Sequence, residues 1–309
     1  MHLYFPIAEL SLNALSVILL GGIAGVLSGL FGIGGGFILT PMLIFTGVTP
    51  AVAVATSTNM IVASSFSGFL SHFRHNRVDI KLGSFLIGGG LIGAAIGVWS
   101  FARLQRMGQI DLMITLLYIS LLVTISILML EEGRKLLANR RKNIPASSTS
   151  HTAAPLPRWV TSLPWQVRFE RSQVTHSAWL PITIGIGSGI LVGLLGVGGG
   201  FIMLPLMLYV LRMPHTVTTG TSLFQIIFIT AAATLLHALT THTVDMVLAG
   251  VLLLGSVVGA QYGARLSHRL PHYLLKLLLA ALLLMVASKL AYGLFVTPPE
   301  RFTLTVEHL

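Results

Sequence analysis

Apolar residues run along this chain in stretches far longer than a soluble helix or strand needs. No Asp, Glu, Lys or Arg stands between Glu9 and Arg74, and none lies in Leu82–Ala102, Leu112–Leu130, Ser172–Leu211, Met213–Val244 or Met246–Ala264. A bilayer-crossing helix needs roughly 20 predominantly apolar residues, so the pattern predicts a helical protein with many spans. Strict period-two alternation is absent, which excludes an outer-membrane barrel. The runs divide at glycine clusters and short polar turns. Leu12–Leu30 is long enough to span, Gly32–Gly36 breaks the helix, and Phe37–Thr46 is a short apolar segment. Ala51–Phe73, Leu82–Phe101 and Ile110–Leu130 follow. Further along come Ile182–Leu195, Phe201–Leu211, Thr216–Ala238, Met246–Arg265 and Leu274–Phe295.

These pieces form a repeat. GLFGIGGGFILTPML from Gly29 returns as GLLGVGGGFIMLPLM from Gly193, an offset of 164. Ala55-Thr56-Ser57 answers Gly220-Thr221-Ser222, His72 answers His237, and Val78-Asp79 answers Val244-Asp245. Gly89, Gly93, Ala94 and Gly97 answer Gly255, Gly259, Ala260 and Gly263. The chain therefore divides into a first transmembrane repeat at 1–130, a basic linker at 131–176 and a second transmembrane repeat at 177–309. The linker carries eight of the 19 basic residues among Pro, Ser, Thr and Ala, and reads as a flexible cytoplasmic loop.

Composition agrees with the pattern. Charged residues make up 9% of the 309 residues, against about 25% in a soluble domain. The net charge of +10 reflects basic loops on one membrane face rather than a nucleic-acid partner. Without cysteine there is neither a disulfide nor a thiolate metal site. Met1–Leu20 has no Lys or Arg ahead of its apolar run, so Leu12–Leu30 reads as a retained span rather than a signal peptide. If the short segments cross, each half makes five passes. With the N-terminus outside, the inner loops then collect 15 Lys and Arg and the outer loops 4. Four passes per half give 13 and 6, so five are favoured. An odd number of passes inverts the second half relative to the first. The expected architecture is an all-α polytopic membrane protein of two inverted halves, each with a Gly-broken, re-entrant or crossing helix pair plus three spans. Both termini are then periplasmic and the linker cytoplasmic.

Inverted repeats with broken helices are a recurring plan of secondary transporters. Gly34, Gly35 and Gly36, and Gly198, Gly199 and Gly200, each precede a short apolar helix. A helix N-terminus offers unpaired N–H groups and partial positive charge, and glycine lets an anion approach the backbone. One such cluster could equally be a tight packing seam; two at matching places favour a substrate site. Thr56, Ser57 and Asn59, with Thr221, Ser222 and Gln225, add hydroxyl and amide groups near the start of the following span. His72 and His237 are candidates for proton coupling, although an interfacial anchor explains them as readily. Asp79 and Asp245 each precede an apolar run and read as helix N-caps. No P-loop or dinucleotide fingerprint occurs. No metal, cofactor or catalytic residue is expected, since there is no Cys and the His residues fall at span ends. The expected partners are the lipid bilayer and a small anion, with no nucleic acid; a homo-oligomer stays open.

The two Gly-rich segments, together with ATSTNM, RHNRVD and GGGLIGAAIG, resemble the TauE/SafE sulfite exporter family over both halves of the chain. That resemblance implies transport of sulfite, organosulfonates or related anions across a bacterial inner membrane. The second half departs from the first where Thr58-Asn59 becomes Leu223-Phe224. The reading is a secondary transporter exporting a small sulfur-containing anion by alternating access. A non-transporting scaffold and proton-coupled uptake are the alternatives.

Overall fold

The apolar runs form helices whose ends are set by glycine, proline and two aspartates. A computed structural model describes residues 2–8, 10–31, 36–141, 165–169, 171–172, 174–267 and 272–295. In the first half α1 is Ala14–Phe31, α2 Gly36–Phe45, α3 Pro50–Arg74, α4 Ile80–Arg106 and α5 Ile110–Arg141. In the second half α6 is Trp179–Leu195 and α7 Gly200–Pro205, the latter continued by a wider π turn at Leu206–Val210. Then follow α8 His215–Thr240, α9 Met246–Ser267 and α10 His272–Phe295. Pro50 opens α3, where its missing N–H costs nothing.

Six helices among the described residues are long and apolar enough to cross a membrane: α1, α4, α5, α8, α9 and α10. The 25-residue α3 carries the Thr56-Ser57-Thr58-Asn59 run and falls outside that set. Large apolar side chains face outward, as Leu15, Leu19 and Ile23 do at successive turns of α1 and Leu254 and Val258 on α9. In water such a surface would be an aggregation site; in lipid it is the solvated face. The protein is an all-α polytopic membrane protein.

Two hairpins were not visible in the apolar pattern. β1 His2–Phe5 pairs with β2 Leu10–Asn13, and β3 Gln166–Phe169 pairs with β4 Val174–Ser177, both antiparallel. Each immediately precedes the first helix of a half. The second lies inside the stretch expected to be a flexible linker, whose other end continues α5 to Arg141. Short strands of four residues give too few alternations to stand out against a polar background.

The helices of the two halves pack crosswise. Parallel α1 and α9 meet through glycine: a Cβ on Gly21 or Gly25 would overlap the backbone of Leu252 or Ser256, and one on Gly255, Gly259 or Gly263 that of Ile18, Gly22 or Val26. Positions 164–166 residues away repeat the seam between α6 and α4, where Gly185 and Gly189 meet Leu86 and Gly90, and Gly89, Gly93 and Gly97 meet Ile182, Ile186 and Ile190. Such backbone-to-backbone contact is what small residues permit in a bilayer. The central pair α3 and α8 is antiparallel, with Gly220 against His72 and Gly68 against Leu223. So is the outer pair α5 and α10, where Ser126 donates to Ala280 O and Lys276 to Glu132.

Both aspartates are caps, as expected. The Asp79 carboxylate accepts from Leu82 N and that of Asp245 from Leu248 N, each at 3.0 Å. The second oxygen of each holds a hairpin. Asp79 Oδ2 accepts from Ser172 N and Oγ in the β3–β4 turn, and Asp245 Oδ2 from Ile7 N and Ala8 N in the β1–β2 turn.

Candidate functional site

The second helix break is built by positive-φ glycine. Gly196 ends α6 at φ 63° and Gly199 precedes α7 at φ 62°, a region that an L side chain enters only with strain. In the first half, Gly34 and Gly35 lie outside the described residues, and Gly36 is the first residue of α2. The start of α2 lies against the second break. A Cβ on Gly36 would stand 2.9 Å from Gly196 O, and the Ile61 side chain of α3 touches both Gly36 and Gly198.

A buried polar knot closes over this meeting point. Thr40 Oγ1 of α2 and Ser57 Oγ of α3 share a hydrogen bond of 2.6 Å. Thr40 Oγ1 also lies within hydrogen-bond distance of Gly36 O, and Ser57 Oγ of Val54 O and Gly196 O. The Tyr118 hydroxyl of α5 donates to Leu195 O, the last residue of α6, at 2.7 Å. Two of these hydroxyls, Ser57 and Tyr118, thus reach carbonyls at the C-terminal end of α6, which a helix leaves without an intrahelical partner. Thr40, Ser57 and Tyr118 are all fully buried. The sequence pattern singled out Ser57 but missed Thr40 and Tyr118. Neither has a counterpart in the other half, where Leu204 and Leu283 stand at the matching offsets of 164 and 165.

The other candidates divide into groups. Thr56 and Thr221 tie the halves together: Asp245 N donates to Thr56 Oγ1 at 3.2 Å, and Asp79 N to Thr221 Oγ1 at 2.9 Å. Ser222 donates to Thr219 O within its own helix. Asn59 is half-buried on α3. Gln225 is fully buried, and neither its Nε2 nor its Oε1 has a hydrogen-bond partner. Gly198, Gly199 and Gly200 all sit in the second break, where Gly199 O accepts from Met203 N as α7 begins.

His237 is fully buried, its Nε2 2.9 Å from Gly193 O and its ring edge-on to Phe101. A carbonyl partner requires the proton on Nε2, so this histidine links α8 to α6. His72 is half-buried in the last turn of α3, beside Gly220. No group of three or more His, Cys, Asp or Glu that could hold a metal occurs among the described residues.

Comparison with known proteins identifies the family. Residues 17–290 match the family model described as Sulfite exporter TauE/SafE. The chain belongs to the TauE/SafE family. It is 31% identical over 250 residues to the probable membrane transporter protein YjnA of Bacillus subtilis, covering 80% of this chain and 87% of that one. YunE of the same organism, also named a probable membrane transporter protein, is 27% identical over 289 residues, 90% of this chain and 98% of that one. An Arabidopsis thaliana protein named Sulfite exporter TauE/SafE family protein 3 is 35% identical over 98 residues, 31% of this chain and 21% of that one. No solved structure matches the chain. A TauE/SafE protein with these spans is a multi-pass membrane protein from a family of probable membrane transporters.

Proposed function

We propose that this protein is an inner-membrane secondary transporter that exports a small sulfur-containing anion by alternating access around the two helix breaks. The observation that carries the reading is the meeting of Gly36 and Gly196, with Ile61 touching both breaks. A scaffold has no use for two costly interruptions brought to one point. The antiparallel α3–α8 and α5–α10 pairs and the reciprocal glycine seams support two inverted halves rocking about the α3–α8 pair. The Arabidopsis relative's name supplies the sulfite class. The membrane potential, about 2.3 kcal/mol per charge per 100 mV, favours anion efflux from a negative cytoplasm. Gly36 and the residues before it, Gly198–Gly200, Ser57, Asn59 and Gln225 are the candidate substrate contacts.

Flux into proteoliposomes tests this. Sulfite, thiosulfate, sulfate and sulfonates are compared under imposed pH and voltage gradients. Gly199→Val places a β-branched residue at φ 62° and within 3.2 Å of the Val192 side chain. It should stop flux while the protein still inserts; wild-type flux from an inserted variant puts the site elsewhere. The basic-residue bias supports an orientation with both termini in the periplasm. An alkaline phosphatase fused after Leu309 should be active, and an inactive fusion overturns that orientation.

A further inference from the structure

Gln225 is the most anomalous side chain among the described residues. Its exposure is 0%, and both ends of its amide lack a partner. Most buried side-chain polar atoms find a partner, and an amide left orphaned in a low-dielectric interior is costly. The nearby hydroxyls obey the rule: Thr221, Ser222 and Thr230 on the same helix all donate to backbone carbonyls. The matching position of the other half, 165 residues earlier, is Met60, buried in an apolar cluster. A methionine therefore suits this environment, and the glutamine is an exception confined to one half.

Its place on the helix is defined. Thr221, Gln225 and Ile229 lie one turn apart along one face of α8. Thr221 packs near Gly83 of α4 and Ile229 against Gly90 of α4, so Gln225 sits on the face turned to α4 between them. α7, which begins at the second helix break, packs on the same helix.

An amide has two different needs. Nε2 carries two N–H donors, and Oε1 can only accept. A fully deprotonated oxyanion offers acceptors alone, so it pairs with Nε2 and leaves Oε1 facing negative charge. A ligand that satisfies both ends presents an anionic oxygen and a hydrogen-bond donor together. We infer that Gln225 selects anions that carry a donor of their own: a protonated oxyanion such as hydrogensulfite, or a sulfonate with a neighbouring hydroxyl or amino group. This rests on the transport reading above and narrows its substrate class.

The test compares 2-hydroxyethanesulfonate with ethanesulfonate, which differ by the donor, in proteoliposomes of the full chain. A site built to hydrogen-bond a substrate hydroxyl rejects the analogue lacking it strongly, so flux of the hydroxylated sulfonate should exceed that of ethanesulfonate at least about tenfold. Gln225→Met, which installs the residue of the matching position, should bring the ratio close to one. Sulfite gives an independent arm needing no variant: flux should follow the hydrogensulfite concentration as pH is varied, not the dianion. Equal flux of the two sulfonates in the wild type, or sulfite flux that tracks the dianion, overturns the inference while leaving transport standing. If no sulfite or sulfonate moves, the transport reading falls and takes this inference with it.

Discussion

The β1–β2 and β3–β4 hairpins occupy matching places and dock on matching aspartates, yet they are held differently. Ser172, at the tip of the second, gives Asp79 both its N–H and its hydroxyl, the latter at 2.6 Å. Ala8 stands at the corresponding place in the first, and among the described residues of that hairpin Asp245 receives backbone N–H groups from Ile7 and Ala8, at 3.2 and 3.3 Å. Arg171 reaches Val78 O and Asn76 O, and His176 lies 2.8 Å from Leu211 O. Ile7 and Leu12 stand at their counterparts, 164 residues earlier. Lys81 adds a bond to Arg168 O. One hairpin is thus tied by side chains as well as backbone, the other by backbone and apolar packing around Phe5 and Ala8. In an inverted arrangement these hairpins cover opposite faces. The difference teaches that the two hairpins are held with unequal strength, although the framework they cap is shared.

The shared framework is where the largest effects belong. Gly93 in the α4–α6 seam and Gly259 in the α1–α9 seam face the backbone of Ile186 and Gly22. Valine at either should force the helices apart and destabilise by about 3 kcal/mol or more, the upper end of overpacking costs. Gly88, with nothing near its missing Cβ, should accept alanine without loss. Melting by size-exclusion-monitored heating checks all three. Similar losses at Gly93 and Gly259 support equivalent seams; a large gap between them breaks the comparison at its base.

Much of this framework was legible in the sequence because it rests on chain-local chemistry. Apolar runs, the GxGGG repeat and the aspartates before α4 and α9 each declare themselves within about 20 residues. The second oxygens of Asp79 and Asp245 were not legible, since their partners lie 93 and more than 230 residues away. The hairpins hid for a related reason: Phe5 and Phe169 are fully buried, but a four-residue strand shows too little alternation to announce it. Thr40 and Tyr118 were not legible because the repeat marks what the halves share, and both occur in one half only. Gln225 was picked out as a polar residue in a span, but its orphaned amide could be recognised only once its surroundings were known. Thr56 and Thr221 stand out in the sequence only as hydroxyls in a span; that they accept from the N–H groups of Asp245 and Asp79, in the other half, is legible only in the fold.

The aspartates give the intermediate test. Asp79→Ala removes the acceptor for Leu82 N and both Ser172 groups, and Asp245→Ala the acceptor for Leu248 N and two hairpin N–H groups. Losing a cap costs about 1 kcal/mol and each hydrogen bond to a charged group about 1.5–3, so each variant should lose about 2–4 kcal/mol after relaxation. The local consequence should differ. Among the described residues no other side-chain bond ties the β1–β2 turn to α9, so without Asp245 amide exchange there should rise most. Without Asp79, Arg171 and Lys81 still hold β3–β4, and exchange there should rise less. Hydrogen exchange read by mass spectrometry separates the two, and equal deprotection of both hairpins would erase the asymmetry.

Arg171 is the finest probe, because its contribution is mostly exposed. Its guanidinium donates to the carbonyls of Val78, at 3.2 Å and part-buried, and Asn76, at 3.5 Å and exposed. These residues form the α3–α4 turn, where Asn76 already holds a positive φ of 56°. Arg171 therefore ties the hairpin tip to a turn that holds a positive-φ residue. Bonds so accessible to solvent are worth little globally, and Arg171→Ala should lower stability by about 0.5–1 kcal/mol at most. Locally it removes the side-chain bond that the first hairpin lacks, since Ile7 stands in its place. Exchange at β3–β4 should rise towards the level of β1–β2 while α3 and α4 stay protected. A lysine there should restore only part of the protection, because its strongly hydrated ammonium on a flexible stem is less preorganised than the planar guanidinium whose Nη1 serves both carbonyls. If Arg171→Ala leaves the exchange of β3–β4 unchanged, the hairpins differ through Ser172 and His176, and the arginine is only a basic residue of its membrane face.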